Sequence, residues 1–137
     1  MKLRSMFQKF TVRVPDGFYR VLVFRDRRTM LKFADEGVPM WAGFMEKRLR
    51  AGDKFYARCM SWGNRKGYLG MLLFARPYLG VGIVSHEISH AALHVAQHRK
   101  WNLRKPVNDE RLAGLNETMN RQFWNRFYAL GEHKISA

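Results

Sequence analysis

GVGIVSHEISHAALHVAQHRK, Gly80 to Lys100, decides how the rest of the chain is read. Ile83, Val84, Ile88, Ala91, Ala92 and Val95 recur at helical spacing, so a helix is predicted from about Gly82 to Lys100. The same stretch carries His86, His90, His94 and His98, spaced by four, with Glu87 directly after the first. Positions i and i+4 lie one turn apart on one helix face, so two imidazoles there can share one metal ion. His86-Glu87-Ile88-Ser89-His90 is therefore an HExxH motif in helical context. The glutamate lies about 100° round the helix from its neighbour, which suits a general base acting on water at a metal rather than a ligand. His94 and His98 drift by about 40° and about 6 Å per step of four. They are read as bystanders, and His133 has only its residue type in its favour.

Working outward, YLGMLLFAR, Tyr68 to Arg76, is a predicted strand whose apolar run suggests burial on both faces. FYRVLVFRD, Phe18 to Asp26, and KFYARCMSW, Lys54 to Trp62, are two more. DRRTMLKFADEG reads as a short helix ended by Gly37, and MWAGFMEKRLRAG as a helical turn or two before Gly52. GNRKG is a turn. After the HExxH helix, Asn108 or Asp109 is a plausible N-cap for a last helix to about Leu130. Its apolar stripe is Leu112, Leu115, Met119, Phe123, Phe127 and Leu130. Strands first and packed helices last give an α+β fold: a small, mostly antiparallel sheet of about three strands, then the HExxH helix and a packed C-terminal helix.

With 137 residues, 47% hydrophobic and 14% aromatic, the chain has material for one core and reads as one domain, 1–137. Trp41, Trp62, Trp101 and Trp124 are expected to pack. The single cysteine, Cys59, excludes an internal disulfide and suits a reducing cytoplasm. The N-terminus shows no apolar signal segment, and no run reaches the ~20 residues of a membrane span, so a cytoplasmic protein is expected. The net charge is +14 and uneven: residues 1–66 hold 16 Lys+Arg against 6 Asp+Glu, and residues 67–137 hold 9 against 5. A basic N-terminal half could contact nucleic acid, but the cations form no long cluster in sequence.

A zinc site with two histidines needs a third protein ligand and an open position for water. HExxHxxGxxH would require Gly and His where the chain has Leu93 and Ala96, so that class is excluded. A carboxylate on the last helix remains: Asp109, Glu110 or Glu117. Antiparallel packing after a short connection is expected to bring the first turn of that helix, with Glu110, near the middle of the HExxH helix.

FARPYLGVGIVSHEISHAALH followed by NDERLAGLNETMNRQFW resembles the small zinc metallopeptidase-like proteins of bacteriophage and prophage genomes, of the zincin superfamily. The likeness spans about residues 68–130. It implies one Zn2+ held by His86, His90 and Glu110, the last from the ExxA box ERLA, with Glu87 as general base in peptide hydrolysis. It further implies that Tyr68–Arg76 is an edge strand to which an extended peptide substrate adds. Gly114 stands where related enzymes carry an acid that supports a ligating histidine; Asn116, Glu117 or Asn120 could substitute. Tyr78, Arg121 and Tyr128 are candidate oxyanion donors. From another class, the alternative is a basic nucleic-acid- or partner-binding phage protein with a structural or vestigial zinc. An intermediate reading is a protease acting on DNA-associated proteins.

Overall fold

The computed structural model describes residues 6–36 and 55–136. The segment MWAGFMEKRLRAG, with Trp41, lies outside them. The element order is β1 (Met6–Val14), β2 (Gly17–Phe24), α1 (Arg27–Glu36), β3 (Ala57–Arg65), β4 (Tyr68–Ala75), a 3-10 turn (Arg76–Tyr78), α2 (Val81–His98) and α3 (Pro106–Ser136).

The four strands form one mixed sheet of order β1-β2-β4-β3. β1–β2 and β3–β4 are antiparallel, while the central β2–β4 pairing is parallel. The expected strand count of about three is thus corrected to four, and the sheet, antiparallel in two of its three pairings, carries a parallel pair at its centre. The additional strand is β1, where Phe10 and Val12 are buried between exposed Lys9 and Arg13. Pro15-Asp16 then closes a two-residue turn, with Val14 opposite Gly17. β3 and β4 are joined at Lys66-Gly67, both with positive φ (57° and 86°), as a tight hairpin requires.

β2 and β4 are buried on both faces. Val21, Val23, Leu72 and Phe74 point into a large core with α2 and α3. Leu22, Phe24, Leu73 and Ala75 point into a smaller one with Met30 and Ala34 of α1. Alternation along each strand divides one apolar run between two cores. At Gly70 a β-carbon would stand 2.2 Å from the Met60 carbonyl oxygen and 2.7 Å from the Tyr19 ring. Only glycine lets Tyr19 cross β4 to bond Ser61, Oη to Oγ 2.7 Å.

β4 pairs on both sides, so the expected edge role of Tyr68–Arg76 is corrected: the edges are β1 and β3. α3 starts at Pro106 and runs to Ser136, earlier and longer than expected; proline suits a first helical position because its missing N–H has no intrahelical partner there. Trp62, Trp101 and Trp124 pack against the cores as partly buried side chains. Among the described residues, no helix is long and apolar enough to cross a membrane.

Candidate metal centre

α2 enters from β4 through Arg76-Pro77-Tyr78, with Gly80 as its extended N-cap. Val84, Ile88, Ala91, Ala92 and Val95 lock one side into the larger core, which turns the side bearing His86 and His90 outward. The two imidazole Nε2 atoms are 3.3 Å apart, with the rings nearly perpendicular at 82°. Two nitrogens each bound at about 2.0–2.1 Å to one tetrahedral zinc stand about 3.3 Å apart. The neutral rings could also share a hydrogen bond at that distance, through tautomers that differ. His86, Glu87 and His90 offer ligand atoms all within 4.8 Å of one another.

Glu87 lies on the buried flank of the motif, 7% exposed. Its Oε1 is 4.0 Å from His86 Nε2, while Oε2 is buried with no hydrogen-bond partner among the described residues. Burial pushes its carboxyl above the usual glutamate value. The two histidines, Arg58 and the Cys59 backbone N–H, which donates to the carboxylate, pull the other way, and burial prevails.

That N–H belongs to the edge strand β3, and two further ties align β3 with α2. The rings of Tyr56 and Tyr78 meet at 4.7 Å, and His94 Nε2 donates to the Trp62 carbonyl at 3.0 Å. From Cys59 to Trp62 is about 10 Å of strand, and from Glu87 to His94 about 10.5 Å of helix. Strand and helix therefore run in the same direction, in step. Between them lies a cleft of ≈ 330 Å³ lined by Arg58, Cys59, Ser61, Glu87, His90, Leu93, His94 and Gln97. Burial pushes the Cys59 thiol up to about 12, so at neutral pH it is a protonated lining group and not a nucleophile. The sequence reading did not select Arg58, Cys59 or Ser61. No motif marks them, and only the knowledge that β3 is the edge beside α2 brings them to the site.

The acids on α3 are placed by one contact: Asn116 Nδ2 donates to Ser89 Oγ at 3.0 Å. The middle of α2 thus faces the third turn of α3, not its first. Two features shape the connection. Lys100, at φ +57°, carries the turn past the end of α2 (Trp101 N to Ala96 O 2.9 Å), and residues 101–105 follow before α3 begins. Glu110 is exposed, six residues or about 9 Å before Asn116, and outside the clustered donors. Asp109 is exposed beside it. Glu117, adjacent to Asn116, is exposed and paired with Arg121, Oε1 to Nη2 2.6 Å. Asn120 donates back to Asn116 at 2.7 Å, which stiffens this polar contact between the helices.

The remaining candidates lie elsewhere. Tyr78 packs on Tyr56, Arg121 on Glu117, and Tyr128 on Trp124 at 5.7 Å. His98 is exposed in the last turn of α2, and the His133 side chain falls outside the described residues. Compared with protein-family models, with curated proteins and with solved structures, the chain matches none.

Proposed function

We propose that the chain is a zinc-dependent peptidase of zincin type, as its likeness to the small phage metallopeptidases suggests. One observation carries the reading: two imidazole nitrogens 3.3 Å apart on an exposed helix face, beside a buried carboxylate with an unsatisfied oxygen. The paired imidazole nitrogens suit zinc, and Glu87 Oε1, 4.0 Å from His86 Nε2, is the carboxylate oxygen that lies on their side.

His86 and His90 would hold the ion through Nε2. α3 supplies the third ligand. Glu117 is favoured because it adjoins the Asn116–Ser89 contact and, on antiparallel helices, falls at a height between His86 and His90; it would exchange Arg121 for the metal. Glu110, given by the family likeness, is the alternative. Bound zinc supplies the Lewis acid that polarises the peptide carbonyl and acidifies water. With zinc bound, Glu87 would serve as the general base, accepting a proton from water and returning it to the leaving amine. Its burial raises its basicity, and the Cys59 N–H holds it in place. Pairing a peptide along β3 would compete with Glu87 at the Cys59 N–H and with His94 at the Trp62 carbonyl. The substrate therefore lies as an extended chain in the cleft, its side chains against Ser61, Leu93 and Gln97.

The test compares zinc-loaded wild type and Glu87→Gln on casein and a peptide library. Wild type should cut, and the variant should lose about 10²–10⁴-fold in rate while keeping its zinc. A wild type that binds no zinc, or a variant that cuts equally well, overturns the reading.

A further inference from the structure

The basic residues form no long run in sequence, but folding gathers a group of them at one end of the molecule. Arg99-Lys100-Trp101-Asn102-Leu103-Arg104-Lys105 joins α2 to α3 with four cations and no acid, and all four are exposed. Arg99 is ion-paired with Asp16 in the β1–β2 turn, which brings that turn alongside. The β3–β4 turn is adjacent in its turn, through Phe18 N to Gly67 O at 2.8 Å, and it presents exposed Lys66. Three separate connections thus meet, and the one acid among them, Asp16, is already neutralised by Arg99.

The connection is internally bonded. The Asn102 carbonyl accepts from Lys105 N at 3.1 Å and from Asn108 Nδ2 at 2.9 Å. Asn102 Oδ1 accepts from Arg104 N at 3.1 Å. Trp101 is half-buried against the larger core, with the Arg99 guanidinium over its ring. The cations are therefore displayed from a fixed backbone, so little order is lost when they meet a partner. The partner must carry closely spaced negative charges. Two isolated apolar residues, Leu103 and Val107, stand exposed nearby, too few for the apolar face by which a basic helix enters a bilayer. With +14 on the whole chain drawing a polyanion in from a distance, a phosphate backbone is the fitting ligand.

We propose that the α2–α3 connection, with Lys66, is a nucleic-acid-binding surface that engages the phosphate backbone without reading sequence. It is independent of the zinc reading. The surface begins about 13 Å beyond His90 along α2, clear of the two histidines.

The experiment is fluorescence anisotropy of the full chain with labelled single-stranded and duplex DNA across a salt titration. It compares wild type with two charge-matched triple variants. One is Lys100→Glu/Arg104→Glu/Lys105→Glu. The other, Lys9→Glu/Lys32→Glu/Arg126→Glu, places the same change at exposed sites elsewhere. The connection variant should bind at least tenfold more weakly and lose about three from the salt slope, at about 0.9 per phosphate contact. The scattered variant should lose far less. Equal losses in the two, no binding by wild type, or binding only to phosphatidylserine vesicles overturns the proposal. Circular dichroism verifies folding, and the Gln triple at 100, 104 and 105 replaces the Glu triple if that one unfolds. The Gln triple must then weaken binding in the same direction.

Discussion

His86 and His94 are the same residue two turns apart on one helix, and the fold treats them differently. His94 Nε2 is bonded to the Trp62 carbonyl of β3, so it holds strand and helix in step. Among the described residues His86 Nε2 has His90 at hydrogen-bond distance and Glu87 Oε1 at 4.0 Å, no main-chain tie, and both rings are exposed. Spacing by four nominated all four histidines equally. The neighbouring element decides which nitrogen is occupied and which is left to coordinate. A site, in this view, is the part of a regular pattern that the packing does not satisfy.

The largest effect should come from breaking the outward pair. His86→Ala or His90→Ala is expected to weaken zinc binding by more than the about 100-fold that loss of a supporting partner costs, measured by competition with a chromogenic chelator. His94→Ala and His98→Ala should leave zinc affinity within about twofold. If His94→Ala loosens zinc as much as His90→Ala, the division between the pairs collapses.

The second comparison sets Glu117 against Glu110. With the helix register fixed at Asn116–Ser89, Glu117→Gln should weaken zinc binding by at least the about 100-fold at the top of the range for a lost supporting partner, and Glu110→Gln little. The reverse ranking would mean that α3 sits about two turns away from this register when zinc is bound.

The unequal legibility of the chain follows from where information lies. The HExxH spacing and the apolar stripe of the last helix are periodic within one element, so both could be read directly. β1 carried the same kind of signal, Phe10 and Val12 alternating with Lys9 and Arg13 before a tight turn. It is a weaker signal than that of β2, because only two apolar positions, Phe10 and Val12, stand buried between cations, against a continuous buried run from Val21 to Phe24. Strand order was not legible. The parallel β2–β4 pairing depends on a crossover through α1 and β3, and no local pattern in Tyr68–Ala75 distinguishes a central strand from an edge. The height of Glu110 follows from a plain hairpin register: Ser89 lies nine residues before the end of α2 and Asn116 ten after the start of α3, so the first turn of α3 meets the end of α2 and not its middle. Cys59 and Ser61 belong to the cleft only because β3 is the edge strand.

A smaller effect tests His94 as a tie. His94→Ala removes a partly buried hydrogen bond and should cost about 1 kcal/mol in urea unfolding of metal-free protein. His98→Ala, exposed in the last turn, should be close to neutral. Equal stability of the two would show that strand and helix hold their step without the His94 bond.

The smallest effect, and the one most specific to Glu87, is a pH dependence. Burial holds this carboxyl above its ordinary value of 4.5 in the folded protein, whereas the unfolded chain releases the proton at about that value. As pH rises from there, the folded state keeps more protons than the unfolded one, so unfolding becomes progressively easier. The loss starts at the unfolded value and is complete once the folded carboxyl has also ionised. Metal-free wild type should therefore be less stable at neutral pH than metal-free Glu87→Gln, which buries no charge. The gap should close below the ordinary carboxylate range, where wild type is protonated in both states. Paired thermal melts in chelator across pH measure this directly. A Glu87→Gln protein no more stable at neutral pH would mean that the Cys59 N–H and the neighbouring cations already offset the burial. Glu87 would then carry no stored cost for zinc and water to relieve.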